Sequence, residues 1–181
     1  IGQELRKQSL EQEGKLPNML VGCVGGGSNF LGLIHEFLDD KEIEKVGVEA
    51  SETAALSNGT PGIMQGMKTY MLQNSDGSKS LGGASLGAGI QYFSVGPQHS
   101  FLKDQGAVKY TSATDDEILD AYKLIARTEG ICSALEPMAA AAYVIKTAPK
   151  KPKDYIICLS LCGRGEKDLD TIQEHIGKDF E

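Results

Sequence analysis

Met19-Leu20-Val21-Gly22-Cys23-Val24-Gly25-Gly26-Gly27-Ser28-Asn29-Phe30 is the stretch that decides the fold. Its first six residues form an apolar run too short for a stable helix and bounded by glycine, the pattern of a buried strand. Three successive glycines then let the backbone curl. Residues 28–38 place Phe30, Leu31, Ile34, Phe37 and Leu38 on one helical face. A second apolar strand follows at residues 46–49, so the segment reads as a βαβ unit whose strands pair in parallel.

Outward from this unit, regular patterns continue on both sides. Residues 1–13 read as a charged helix stopping near Gly14. Residues 51–96 are irregular and rich in Gly and Ser, with a strand pair around residues 63–73, and loops of that length usually serve function. A helix begins near His99, and a strand is expected at residues 107–110. Thr114 and Glu117 form a capping box for a helix that ends at Gly130. A helix over residues 136–148 leads to a strand at 155–161, whose uninterrupted apolar character predicts a sheet covered on both faces. The predicted architecture is α/β, three-layered, with a mainly parallel sheet.

Composition bounds the function. The 181 residues are 40% hydrophobic and 24% charged, enough for one globular domain with a core. A net charge of −7 argues against a nucleic-acid surface, which needs a basic stripe, and the Lys-dense run at 146–153 is short. No apolar run approaches the ~18 residues that span a bilayer, so a soluble, cytoplasmic domain is expected, although the chain opens at Ile1 rather than Met. Cys23, Cys132, Cys158 and Cys162 lack metal-ligand spacing, and three of them lie in or beside apolar runs, which predicts reduced, buried thiols.

The glycine run carries the chemistry. Curled amides and the N-terminus of the next helix together make an anion cup, to which Ser28 and Asn29 add side-chain donors. Alternatively the segment is a tight turn with Ser28 as helix cap. Three glycines exceed what a cap requires. A dinucleotide fingerprint would want glycine where Phe30 stands, although Glu49 is placed to meet a ribose hydroxyl. A single phosphate monoester makes no demand on either residue and is the preferred ligand.

Several segments, in order, resemble the tryptophan synthase β family: Leu16-Pro17 through Asn29, Gly47-Val48-Glu49, Gly66-Met67-Lys68, Ser94-Val95-Gly96-Pro97-Gln98-His99, Arg127-Thr128-Glu129-Gly130, Ala134-Leu135-Glu136 and Gly163-Arg164-Gly165-Glu166-Lys167-Asp168. The glycine loop alone would indicate only the wider fold-type II pyridoxal phosphate (PLP) group, which includes threonine and cysteine synthases. The Val95–His99 and Gly163–Asp168 segments narrow it.

The resemblance implies that residues 1–181 are the C-terminal, phosphate-binding domain of that fold, without the N-terminal domain that carries the Schiff-base lysine. Gly25, Gly26, Gly27, Ser28 and Asn29 match the cup for the cofactor phosphate. Glu136 matches a carboxylate that faces the substrate and assists loss of the serine hydroxyl. On residues alone it is a helix N-terminal carboxylate stabilised by the dipole, beside Pro137. Cys162 falls where the family usually has a serine touching the pyridine nitrogen, and a neutral thiol there leaves that nitrogen largely unprotonated. The carbonyls of Gly25, Tyr92 and Ser94 match a monovalent-cation (Na or K) site. Implied partners are L-serine, indole, a tryptophan synthase α chain and a second β chain.

Departures from the pattern occur at Gln91, where the family has an aspartate recognising the substrate, and at Pro137-Met138-Ala139, where it has Ser-Ser-His. Met64 and Gln65 replace tunnel-lining aromatics. No lysine follows His35, His99 or His175, and every lysine reads as surface. The chain alone is therefore expected to be inactive, whereas its parent would replace the hydroxyl of L-serine with indole.

Overall fold

Four parallel strands form the centre of the protein: β1 (Met19–Cys23), β2 (Glu44–Ala50), β5 (Lys109–Ala113) and β6 (Ile157–Leu159). Their order across the sheet is β5-β2-β1-β6. The computed structural model describes residues 1–77 and 83–176. Strand β1 is buried along its whole length, as its apolar run predicts, and pairs in parallel with β2 and β6.

Period-two alternation sends the strand side chains to two different cores. Met19, Val21, Cys23, Val46, Val48 and Ala50 face one layer, formed by α5 (Asp115–Glu129), α6 (Glu136–Thr147) and α7 (Leu169–Ile176). Leu20 and Val24 face the other, where α2 (Ser28–Ile34) and α4 (Pro97–Asp104) contribute Phe30, Leu33, Ile34 and Leu102, and α1 (Gly2–Glu13) adds Leu5 at the margin. This is the expected three-layer α/β arrangement.

Local signals explain most boundaries. Gly14 ends α1 with φ of 68°, and Gly130 ends α5 in the same left-handed conformation. At the start of α5, Thr114 accepts from the Glu117 N–H while the Glu117 carboxylate accepts from the Thr114 N–H. The expected strand pair is a hairpin of β3 (Thr60–Met64) and β4 (Met67–Met71). Its turn residues Gln65 and Gly66 both have positive φ, as a tight two-residue turn requires. A one-turn helix, α3 (Ala55–Asn58), precedes the hairpin.

Other expectations change. Helix α2 ends at Ile34 and tightens into a 3-10 turn at His35–Phe37 instead of running to residue 38. Strand β5 starts at Lys109, because the Ala107 N–H is taken by the Leu102 carbonyl as α4 closes. Strand β6 is three residues long and half-buried rather than covered on both faces, since it lies at the sheet edge. Of the three thiols expected to be buried, only Cys23 is; Cys158 and Cys162 are half-buried, Cys132 is exposed, and all are free. Helix α7 has no counterpart among the elements read from sequence.

Phe30 does not obstruct the approach of α2 to the sheet. The ring is fully buried and rests on Gly22, where a Cβ would stand 2.8 Å from its Cδ2. Glu49 is equally buried and cannot reach a ribose. Its Oε1 accepts from the Leu56 N–H at 2.8 Å and its Oε2 from the Ser57 N–H and hydroxyl at 2.8 and 2.7 Å, closing off α3. The dinucleotide reading loses its acidic residue.

Candidate functional site

Strand order reverses at β1: the chain runs through β2 and β5 to one side and returns to place β6 on the other. Ligands in open α/β sheets sit beyond the carboxyl ends of strands at such a reversal. A cavity of about 270 Å³ lies there, lined by Cys23, residues 25–29, Gly89, Ile90, Glu136, Cys162, Gly163 and Lys167.

The glycine loop forms one wall. Gly27, not Ser28, is the N-cap of α2, with φ of 98°. A side chain there would be strained, and its Cβ would fall on the His99 ring. Among the described residues, no protein acceptor takes the N–H groups of Gly26, Gly27 or Ser28. The Cβ position of Gly26 meets nothing within 4 Å, so that wall faces open space.

His99 holds this loop from behind. Its Nε2 bonds the Gly27 carbonyl at 2.7 Å, so Nε2 carries the proton, and its Nδ1 accepts from the Tyr110 hydroxyl at 2.8 Å. Burial lowers the His99 pKa against the pull of the Gly27 carbonyl, keeping the ring neutral. Burial, with the Glu49 charge, raises the Tyr110 pKa, so its hydroxyl keeps the proton it donates. Phe30 stacks on the same ring with centroids 6.0 Å apart.

The opposite wall is assembled from remote segments. Glu136 stands at the first turn of α6 with its side chain almost fully buried. Its Oε1 accepts from Lys167 Nζ at 2.7 Å and from the Gly89 N–H at 2.6 Å. Its Oε2 is buried with no hydrogen-bond partner among the described residues. Burial raises the Glu136 pKa, but the Lys167 ammonium and the Gly89 amide outweigh it and hold the carboxyl below its ordinary value. Lys167 also contacts Asp168 at 2.7 Å, and Asp168 accepts from the Leu135 N–H at 2.9 Å, fixing the start of α6.

Cys162 follows β6. Its Sγ accepts from the Asn29 amide at 3.2 Å and lies 3.8 Å from Cys23 Sγ. The Cys23 contact lowers the Cys162 pKa against its burial. Cys23 moves up, through the same contact and its burial.

The five expected residues of the loop wall, Gly25 to Asn29, and Glu136 and Cys162 of the opposite wall thus line one cavity. Tyr92 and Ser94 do not: Tyr92 is 42% exposed, and Ser94 is buried beside Met71 of β4. Lys167 and Cys23 were missed as site residues; Lys167 is exposed, as expected of a lysine, yet lines the cavity, and it is the buried Lys45, donating to the Asp40 and Ile43 carbonyls, that corrects the expectation that every lysine is superficial. Lys167 lies within the Gly163–Asp168 segment, the one signal that points to it.

Known proteins bear on this geometry. The profile of pyridoxal-phosphate dependent enzymes matches residues 1–163. The chain belongs to that family. Among its relatives are the tryptophan synthase beta chain of Dinoroseobacter shibae, 48% identical over 99% of this chain, and that of Allorhizobium ampelinum, 49% identical over 98%. The chain spans 46% and 45% of their lengths, about half of each. Two solved structures share the fold. A threonine deaminase from T.th. has a TM-score of 0.66 at 19% identity, over 90% of this chain and 50% of that one. A mutant O-ureido-L-serine synthase with O-ureido-L-serine bound reaches 0.69 at 17% identity, over 96% and 47%. Pyridoxal phosphate is the family's cofactor, and the cavity suits it: an open amide-lined wall, an unpartnered buried carboxylate oxygen and a polar sulfur converge there.

Proposed function

We propose that this chain is the phosphate-anchoring half of a tryptophan synthase β chain, and that its parent replaces the hydroxyl of L-serine with indole. The observation that carries the reading is the cavity at the end of β1, where the glycine loop, Cys162 and Glu136 meet. The 48% identity to tryptophan synthase beta chains supports the substrate assignment.

In this reading the free amides of residues 26–28 and the side chains of Ser28 and Asn29 bind the cofactor phosphate, helped by the positive end of α2. Cys162 presents its sulfur to the ring nitrogen, oriented by Asn29. When bound, the cofactor supplies an electron sink for bonds at the substrate's α-carbon. Glu136 holds or moves a proton at Oε2, the oxygen that Lys167 and Gly89 leave free. The Lys167 ammonium, between two carboxylates, has its pKa raised by Asp168 and Glu136 in spite of burial. In this reading it is a charged partner of Glu136 and Asp168. The carbonyls of Gly25, Tyr92 and Ser94 remain the proposed site for Na or K, and the Gly96 N–H to Gly26 carbonyl bond of 3.0 Å ties that segment to the loop. An α chain, a second β chain and a cytoplasmic setting belong to the same proposal; no described helix is long and apolar enough to cross a membrane.

Replacement of Gly26 tests the cup directly. Gly26→Ala adds a methyl group to open space, so the melting temperature is expected to hold while PLP affinity falls and inorganic phosphate competes less well. Unchanged PLP binding in this variant would remove the loop from the site. Supplying the lysine-bearing half should restore tryptophan formation from indole and L-serine, and failure with both halves folded would refute the substrate assignment.

A further inference from the structure

Two cysteines meet at the cavity, a contact the β-replacement reading does not use. Cys23 closes β1 and Cys162 follows the neighbouring β6, so strand pairing, not sequence proximity, brings their sulfurs to 3.8 Å. Both residues line the cavity, and their sulfurs are in contact. A disulfide requires ~2.05 Å, so the pair must close by about 1.8 Å from its separation of 3.8 Å. We propose that Cys23 and Cys162 form a reversible disulfide at the cavity wall when a hydroperoxide enters it.

The two thiols have different roles. Cys162 is the attacking group, because the Asn29 amide donates toward its sulfur and stabilises the thiolate, whereas Cys23 is buried. Its pKa is lowered, chiefly through Cys23. The Cys162 thiolate attacks one peroxide oxygen; an S–O bond forms, the O–O bond breaks, and the departing hydroxide or alkoxide takes a proton from water. Cys23 sulfur then attacks the sulfenic sulfur. The S–S bond forms, the S–O bond breaks, and hydroxide leaves with the Cys23 proton as water. Each sulfur loses one electron and the peroxide gains both. A dithiol reductant reverses the reaction by exchange.

The disulfide draws Cys162 toward β1 and away from the Asn29 amide that orients it. Cofactor affinity falls by at least about tenfold, the equivalent of one charge-assisted hydrogen bond. That consequence rests on the cofactor reading proposed above, whereas the disulfide itself does not.

The test is peroxide titration of the purified protein, trapping of remaining thiols by alkylation, and peptide mapping without reductant. The expected result is a cross-link between the peptides containing Cys23 and Cys162, reversed by dithiothreitol, in the unmodified protein and in the Cys132→Ser/Cys158→Ser variant. PLP affinity measured on the same samples should drop on oxidation and recover on reduction. A Cys162 that stops at sulfenic or sulfinic acid while Cys23 is still alkylated on denaturation overturns the proposal. So does cross-linking through Cys132 or Cys158 instead. Equal PLP affinity in both redox states overturns the regulatory consequence. A cross-link in a protein that binds PLP in neither state supports the thiol chemistry and defeats the cofactor reading.

Discussion

The two walls of the cavity are built in opposite ways. The glycine wall is a continuous run of residues 25–29 whose donors are backbone amides, and it is braced by His99 on the Gly27 carbonyl and by the Gly96 N–H on the Gly26 carbonyl. The acidic wall joins Gly89, Glu136, Cys162 and Lys167 from separate segments, and its order comes from charge: one ammonium shared by two carboxylates. A backbone wall tolerates changes of charge but not of volume. A side-chain wall does the reverse.

The largest effect that would expose this contrast is expected from Gly27→Val. A β-branched residue is strained at φ of 98° and its Cβ would fall on the His99 ring, so unfolding should be easier by about 3–5 kcal/mol in urea titration. A stable Gly27→Val protein would mean that the loop is not held in this conformation.

Next comes Lys167→Met, which keeps the volume and removes the charge. Loss of a partner from a buried pair costs ~3–5 kcal/mol, but Lys167 is 34% exposed, so about 1–3 kcal/mol is expected. The pH dependence should also reverse. In the native protein the Glu136 pKa is lowered, so its contribution is complete above the ordinary carboxylate range and is lost as pH falls through the folded value. Without Lys167, burial dominates and raises the pKa, and the variant should gain stability as pH falls. Denaturation series at several pH values distinguish the two signs.

His99→Gln should cost about 1–2 kcal/mol, one of the two ring hydrogen bonds being lost. The His99 pKa is lowered on folding, so native stability is fully present above ~6.5 and declines as pH falls toward the folded value. The variant should lose that part of the slope, and an unaltered slope would assign it elsewhere. The smallest effect is expected from Thr114→Ala, about 1 kcal/mol from the lost cap of α5, with PLP affinity unchanged. Any loss of cofactor binding there would show that the walls are coupled through the α5–α6 layer.

Legibility follows the same division. The βαβ unit, the capping box of α5 and the glycine loop can be read because each is a local pattern whose cause lies within a few residues. Glu49 misleads because its position after Val48 is local, whereas its ligands, the Leu56 and Ser57 amides, depend on how the chain turns back. Lys167 goes unread because the preference of lysine for the surface, which it keeps, says nothing of its place between two carboxylates.

Sequence by itself determined the parallel α/β order, the glycine turn at residues 25–29 and, through its motifs, the resemblance to PLP enzymes. Hydrophobic periodicity and glycine conformational freedom are properties of short segments. Tertiary structure decided which Glu136 oxygen stays free, that Lys167 neutralises that carboxylate, and that Cys23 meets Cys162. Those facts depend on distances between residues far apart in the chain, and such distances exist only once the strands have paired.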